Sequence, residues 1–267
     1  MLRAIVLGAG GRMGGRIVAT IAKTDGIELA FAVENEGDQS LGKDAGEIAG
    51  IGKNGVLIVS NLSSVIGAGD VVIDFTHHSA SVKNVAIAAD AGKPIIVGTT
   101  GFSAEELNSI KEATQRTKCV IAPNMSVGVN LMFKVLEMVA GILGDDYDVE
   151  IMEVHHNLKK DAPSGTAMRM AQVIANALQR DLEDAGVYQR RGMIGERTKK
   201  EIGIQTLRAG DIIGEHTVLF AGNSERLELT HRAHSRDNFA RGAVRAAKWI
   251  INQENGMYDM QDVLGLK

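Results

Sequence analysis

The first 125 residues repeat one pattern: a short, nearly unbroken apolar run, a turn, then a stretch with helical spacing. The runs are AIVLG (4–8), ELAFAV (28–33), VLIVS (56–60), VVIDF (71–75), PIIVG (94–98) and CVIAP (119–123). Amphipathic stretches such as SASVKNVAIAADAG (79–92) and SAEELNSIKEATQR (103–116) separate several of them. A strand that is apolar on both sides must be covered on both, and strands joined through helices run parallel. The pattern therefore predicts a doubly wound parallel sheet between helical layers, an α/β fold. Ser103 followed by Glu106 has the spacing of a capping box and marks a helix start.

After about residue 126 the pattern changes. A long helix (about 127–143) precedes a strand, DVEIMEV (148–154), and another helix begins near Ser164. Three strand-like runs follow, EIGIQTLRA (201–209), EHTVLFAG (215–222) and ERLELTHRA (225–233), the last alternating polar and apolar residues. Such alternation fits a mixed or antiparallel sheet covered on one face, in a second α+β domain. A final helix over about 237–254 places Phe239, Val244, Trp249 and Ile250 on a core face.

The string GAGGRMG (8–14) follows the first strand and opens a helix. Glycines let a backbone approach a pyrophosphate, and the free N–H groups of a helix start favour its charge. Met13 stands where the commonest G-x-G-x-x-G form has its third glycine. An acid, Glu34, ends the second run twenty residues past Gly14, where it can accept hydrogen bonds from ribose hydroxyls. Strand, loop, helix and acid together predict a dinucleotide site. GTTG (98–101) and APNMS (122–126) lie just beyond strand ends, where a doubly wound sheet holds its ligands.

A second dense stretch is EVHHNLKKDAPSGT (153–166). A histidine exchanges protons near neutral pH, and a lysine fixes a carboxylate. Ser164, Gly165 and Thr166 at a helix start offer N–H groups and hydroxyls to an anion, with Pro163 at the turn. His155, His156 and Asp161 are poor metal ligands, since adjacent residues of extended chain point apart, and no metal is expected. His77 and His78 read as a helix entrance, DDYD (145–148) as an exposed turn, and His231 and His234 as strand-end residues within possible reach of a cleft.

Net charge is −4, which gives no basic field for nucleic acid. The single cysteine, Cys119, lies in an apolar strand and reads as an inert buried thiol. No membrane segment is expected, nor any leader ahead of MLRAIVLGAG, so the expected location is cytoplasmic.

EVHHNLKKDAPSGTA resembles the signature of the dihydrodipicolinate (4-hydroxy-tetrahydrodipicolinate) reductase family. The resemblance extends through GAGGRMG (8–14), VVIDFT (71–76), GTTGFS (98–103), APNMS (122–126), RAGDIIGEHTV (208–218) and LTHRAHSRDNFARGA (230–243). It implies reduction of a cyclic imine dicarboxylate to tetrahydrodipicolinate with loss of water, in lysine and diaminopimelate synthesis. It implies a Rossmann-type dinucleotide-binding domain over 1–126 and 236–267, and a substrate-binding and oligomerisation domain over 127–235 that builds a homotetramer.

By position, the resemblance makes His155 the proton donor, assisted by Lys159, which also holds substrate. His156, Ser164, Gly165 and Thr166 bind the substrate carboxylates. Gly8, Ala9, Gly10, Gly11, Arg12, Met13, Glu34, Gly98, Thr99, Thr100, Ala122, Pro123, Asn124 and Met125 line the cofactor. His78 stands where relatives often have proline, and Asn35 where some carry a cation suited to a 2′-phosphate. NADH and NADPH are therefore both expected, with NADH favoured. Two rival readings are a different two-domain amino-acid dehydrogenase and a non-catalytic NAD(P) sensor. The histidine pair with its S-G-T turn opposes the first, and the lack of an appended binding module opposes the second.

Overall fold

A computed structural model describes residues 1–267. The chain divides into two units, residues 1–127 with 236–267, and residues 128–235.

The first unit begins with β1 (Leu2–Leu7), α1 (Arg12–Ile21), β2 (Ile27–Val33), α2 (Ala45–Ile48), β3 (Ile58–Val59) and α3 (Leu62–Val65). It continues through β4 (Val71–Asp74), α4 (His78–Asp90), β5 (Ile95–Val97), α5 (Ala104–Ala113) and β6 (Lys118–Ile121). The second unit holds most of α6 (Val127–Leu143), then β7 (Asp148–His155), α7 (Gly165–Ala177), α8 (Leu182–Ala185) and β8 (Gly186–Val187). It ends with β9 (Ile202–Arg208), β10 (Glu215–Ala221) and β11 (Arg226–Arg232). The chain then returns to the first unit with α9 (Asp237–Ile250), β12 (Gly256–Tyr258) and α10 (Met260–Leu264).

The first sheet is wholly parallel in the order β12-β6-β5-β4-β1-β2-β3. Alternation along β1 explains its unbroken apolar run. Ala4 and Val6 join one core with α1 and α9, while Ile5 and Leu7 join the core on the other face with Val85 and Ile110. The strand order reverses between β1 and β4, the switch point where such sheets leave a crevice at their carboxyl ends. The capping box of Ser103 and Glu106 forms as its spacing predicts. After the helix expected over about 237–254, the structure adds β12 and α10. Three residues, Gly-Met-Tyr, carry too little pattern to mark a strand, and pairing with β6 makes them one. Cys119 is fully buried, and burial pushes its thiol pKa up to about 12, so it is no nucleophile.

The second sheet is mixed, in the order β11-β10-β7-β9-β8, with β10 antiparallel to both neighbours and β7, β9 and β8 parallel. Its covered face sends Val149, Ile151, Val218 and Phe220 into a core with α6 and α7. By length and composition alone, Val127–Asp146 is apolar enough to cross a bilayer, with mean hydropathy 1.6. In the fold, its Val129, Met132, Phe133, Leu136 and Ala140 are core residues of this unit.

Candidate active site

In the first unit the turn after β1 is shaped by what its residues lack. Gly8 adopts φ +69°, which L side chains rarely enter. A Cβ on Gly14 would lie 2.0 Å from the Gly8 carbonyl oxygen and 2.7 Å from Ala9 Cα. Gly14 thus takes the close-packing role that the commonest motif gives to the position of Met13. Gly11 caps α1 with no side-chain hydrogen bond, leaving the helix start open to an anion. Glu34 reaches this turn: one carboxylate oxygen accepts the Gly10 N–H at 2.9 Å and the other the Asn35 N–H at 2.9 Å. Arg12 is exposed beside it. These residues fit a dinucleotide.

The neighbouring strand ends supply the other loops. Asp74, fully buried, accepts from the Thr76 N–H and hydroxyl at 2.8 and 2.6 Å and from the Asn84 amide at 3.0 Å, fixing the turn after β4. Thr99 donates its hydroxyl to the Thr76 carbonyl at 3.2 Å and accepts that of Ser81 at 2.8 Å. Gly98 leaves room for the Phe75 ring, which a Cβ would meet at 2.2 Å, and Thr100 is exposed. In the loop after β6, Ala122 and Met125 are buried, Pro123 is exposed, and Asn124 accepts the Ser126 N–H at 2.9 Å. A Cβ on Gly242 would stand 1.7 Å from the Met125 carbonyl oxygen, so α9 props this loop through a bare backbone contact. His77 caps α4, and His78 Nδ1 meets Glu106 at 2.7 Å.

In the second unit the covered row of β7 changes character along its length, from Val149 and Ile151 to Glu153 and His155. Glu153 is wholly inaccessible to solvent. Its carboxylate meets His155 Nδ1 at 2.5 Å and accepts the Ser164 N–H at 3.0 Å and the Thr206 hydroxyl at 3.3 Å. Arg208 grips the same carboxylate with both terminal nitrogens at 2.9 and 3.0 Å and donates to the Asp161 carbonyl at 2.6 Å. Burial alone pushes the Glu153 pKa up, but the bonds from His155, Arg208 and Ser164 outweigh it and hold it down at about 2. His155 is 8% exposed, and its Nε2 has no hydrogen-bond partner in the protein. A Cβ on Gly214 would meet that nitrogen at 2.9 Å, so the bare glycine leaves it room.

The other residues singled out in the sequence divide by role. Ser164 is 2% exposed; its hydroxyl caps α7 by accepting the Ala167 N–H at 3.1 Å and pairs with His216 Nε2 at 3.0 Å. Its side chain thus shapes the head of α7. Gly165 is exposed, and a Cβ there would meet nothing within 4 Å. Gly165 and Thr166 open α7, a helix start of the kind that favours an anion. Lys159, largely buried, pairs with both oxygens of Asp161 at 2.9 Å and lowers that carboxyl's pKa. His156 is half-buried with Nδ1 unpaired. His216 stacks edge-on against His155, with ring centroids 5.2 Å apart. Burial first, then His155, hold its pKa down at about 3, so it stays neutral. His231 lies opposite His216 on β11 and reaches this cluster, whereas His234 is exposed.

Glu153, Arg208, Gly214 and His216 carry no role in the sequence reading. Their partners are tens of residues away, and only the pairing of β7 with β9 and β10 brings them together. The one local signal is a glutamate in phase with buried Val149 and Ile151.

The family description "Dihydrodipicolinate reductase, N-terminus" matches residues 2–125, and "Dihydrodipicolinate reductase, C-terminus" matches 128–264. The chain belongs to the dihydrodipicolinate reductase family. It is 61% identical over all 267 residues to the 4-hydroxy-tetrahydrodipicolinate reductase of Syntrophus aciditrophicus, covering 100% of both chains. Identity to that of Syntrophobacter fumaroxidans is 54%, with the same coverage. Among solved structures it is similar to the dipicolinate-bound dihydrodipicolinate reductase of Paenisporosarcina sp. TG-14, with TM-score 0.78 at 26% identity over 98% of each chain. A probable dehydrogenase of Thermotoga maritima shares the fold, with TM-score 0.62 at 12% identity over 99% and 93% of the chains. The chain is thus an oxidoreductase that reduces 4-hydroxy-tetrahydrodipicolinate in lysine biosynthesis, drawing on NAD(P)H as the family does.

Proposed function

We propose that the two units divide this reduction, the first holding NAD(P)H and the second holding the dicarboxylate and supplying the proton. The observation that carries the proposal is His155: Nδ1 is tied to a buried carboxylate while Nε2 is left without a protein partner. A bound nicotinamide supplies the hydride. Reduction of the conjugated ring leaves negative charge on a ring carbon, and His155 Nε2 delivers the proton that quenches it. Lys159 holds a substrate carboxylate and assists protonation once it leaves Asp161. His156 and the Gly165 and Thr166 end of α7 bind the carboxylates, while Ser164 shapes that helix start from beneath.

On the cofactor side, Gly8 to Met13, Glu34, Gly98 to Thr100 and Ala122 to Met125 form the site. The Glu34 carboxylate suits the ribose hydroxyls of NADH and opposes the 2′-phosphate of NADPH. Exposed Arg12 offsets part of that repulsion, and Asn35 supplies no charge. Both cofactors are therefore used, with NADH favoured.

The assembly is a homotetramer joined through the uncovered face of the second sheet. Met152 and Leu207 are 45% and 43% exposed there, and Val154 and Leu219 share that face. The site of action is the cytoplasm. The test follows the reduced-nicotinamide absorbance with freshly generated substrate. NADH consumption, inhibited by dipicolinate competitively with substrate, is the expected result; inhibition competitive with the nicotinamide moves the dicarboxylate site off α7.

A further inference from the structure

We propose that Glu153, kept charged by Arg208, is the positioning residue that makes His155 a competent proton donor. This rests on the reading of His155 as the donor and adds what sets its ring and its charge. Three features of the geometry point to it.

First, Glu153 fixes which ring nitrogen reacts. With Nδ1 bound at 2.5 Å to an ionised carboxylate, that nitrogen carries hydrogen whether the ring is charged or neutral. The transferable proton is then always on Nε2. Donation breaks the Nε2–H bond, forms a C–H bond on the substrate and leaves the Nδ1–H tautomer. That tautomer still suits the carboxylate, so the ring need not turn over between cycles before solvent reloads it.

Second, the charge is balanced from every side. Glu153 on β7 faces the Arg208 guanidinium and Thr206 hydroxyl of β9, and the Ser164 N–H at the head of α7. His216 on β10 and His231 behind it on β11 also approach the cluster, as do Lys159 and Asp161 in the loop. One buried carboxylate against one guanidinium is neutral, so protonating His155 adds a single positive charge next to an anion. Neutral His216 keeps a second cation from its ring edge.

Third, Arg208 ties the same carboxylate to the catalytic loop through the Asp161 carbonyl. Asp161 in turn holds Lys159. Glu153 therefore anchors the donor and the segment carrying its assistant through one shared contact set. A purely structural ion pair has no reason to place its acid on the reacting ring.

The experiment measures kcat/KM for substrate against pH at saturating NADH for wild type, Glu153→Gln, Glu153→Gln/Arg208→Met and His155→Gln. The melting temperature and NADH affinity of each are recorded alongside. Nitrogen chemical shifts of labelled histidines report the ring tautomer. Glu153→Gln is expected to lose about 100-fold in turnover. Its kcat/KM should fall at every pH measured, because the acceptor that fixes the reacting ring nitrogen is gone. NADH affinity should hold and the Nδ1–H tautomer should no longer dominate.

The double variant leaves no unpaired buried cation, so it recovers melting temperature while keeping the loss of turnover and the altered tautomer. It also keeps the test alive if Glu153→Gln alone does not fold. A double variant with wild-type turnover and tautomer overturns the positioning role and leaves Glu153 as fold support. Wild-type turnover in His155→Gln overturns the donor reading itself. A large loss in His155→Gln beside wild-type turnover and tautomer in Glu153→Gln overturns the positioning role alone.

Discussion

The glycine turn of the first unit and the HHNLKKDAPSGT loop of the second both lead into a helix start, but they are built from different material. The first is made by leaving atoms out: Gly8 takes a left-handed φ, and no Cβ fits at Gly14 or Gly98. Its one charged anchor, Glu34, stands at the end of the adjoining strand. The second is made by side chains brought from afar, with Glu153, Arg208 and His216 supporting His155 and Ser164 from three strands. A site made of backbone fails when an atom is added. A site made of buried charges fails when a partner is removed.

The largest expected effect is on the side-chain site. His155→Gln should lower kcat by roughly two to four decades, with NADH affinity unchanged because the residues proposed to hold the cofactor belong to the other unit. Stopped-flow fluorescence of bound NADH beside steady-state rates separates the two quantities. A parallel fall in cofactor affinity breaks the comparison.

Gly14→Ala tests the backbone site. The added carbon meets the Gly8 carbonyl and the Ala9 Cα, not a flexible side-chain end. Urea unfolding should show a loss of about 3 kcal/mol, the upper range for overpacking. Gly165→Val is its counterpart, since that position opens on free space. Its melting temperature should change little, while the substrate KM and the dipicolinate inhibition constant should both rise roughly tenfold, about 1.4 kcal/mol.

These contrasts also explain what could be read without coordinates. Turns and cradles written in consecutive residues, GAGGRMG and DAPSGT, are visible because the chain itself supplies the proximity. So are strands such as AIVLG, whose unbroken apolar run means burial on two faces. Glu153 is different. It lies two residues before His155 in a strand, and nothing local tells a buried hub from a solvated acid. Its meaning comes from Arg208, which β9 delivers by running parallel to β7. Ser164 shows the same limit: nothing local tells that its hydroxyl also caps α7 and pairs with His216 on a distant strand. The two-residue β8 and three-residue β12 stayed hidden because strands that short are defined by their neighbours.

A smaller effect sharpens the cofactor side. Asn35→Arg should raise kcat/KM for NADPH by about fivefold, the scale of a solvent-exposed ion pair, and leave NADH nearly unchanged. Arg12→Ala should harm NADPH more than NADH. Equal changes for both cofactors would place the 2′-position away from Glu34.

A further effect is on stability in acid. Glu153 has a folded pKa of about 2 against an ordinary 4.5, so its contribution is full above 4.5 and is lost as pH falls toward 2. His216, at about 3 against 6.5, is also depressed: protons favour the unfolded chain from pH 6.5 downward, and stability falls in the same direction. Melting temperatures should therefore decline below about pH 6.5 and more steeply below 4.5. His216→Gln should flatten the first part of that decline, and an unchanged slope would mean that His216 is not buried neutral.

The division of labour itself is tested most directly by calorimetric titration of NADH and of dipicolinate, each alone, into wild type, Glu34→Ala and Gly165→Val. Glu34→Ala should weaken NADH and leave dipicolinate at its wild-type affinity, and Gly165→Val should do the reverse. A variant that loses both ligands while still melting like wild type would contradict two separately built sites.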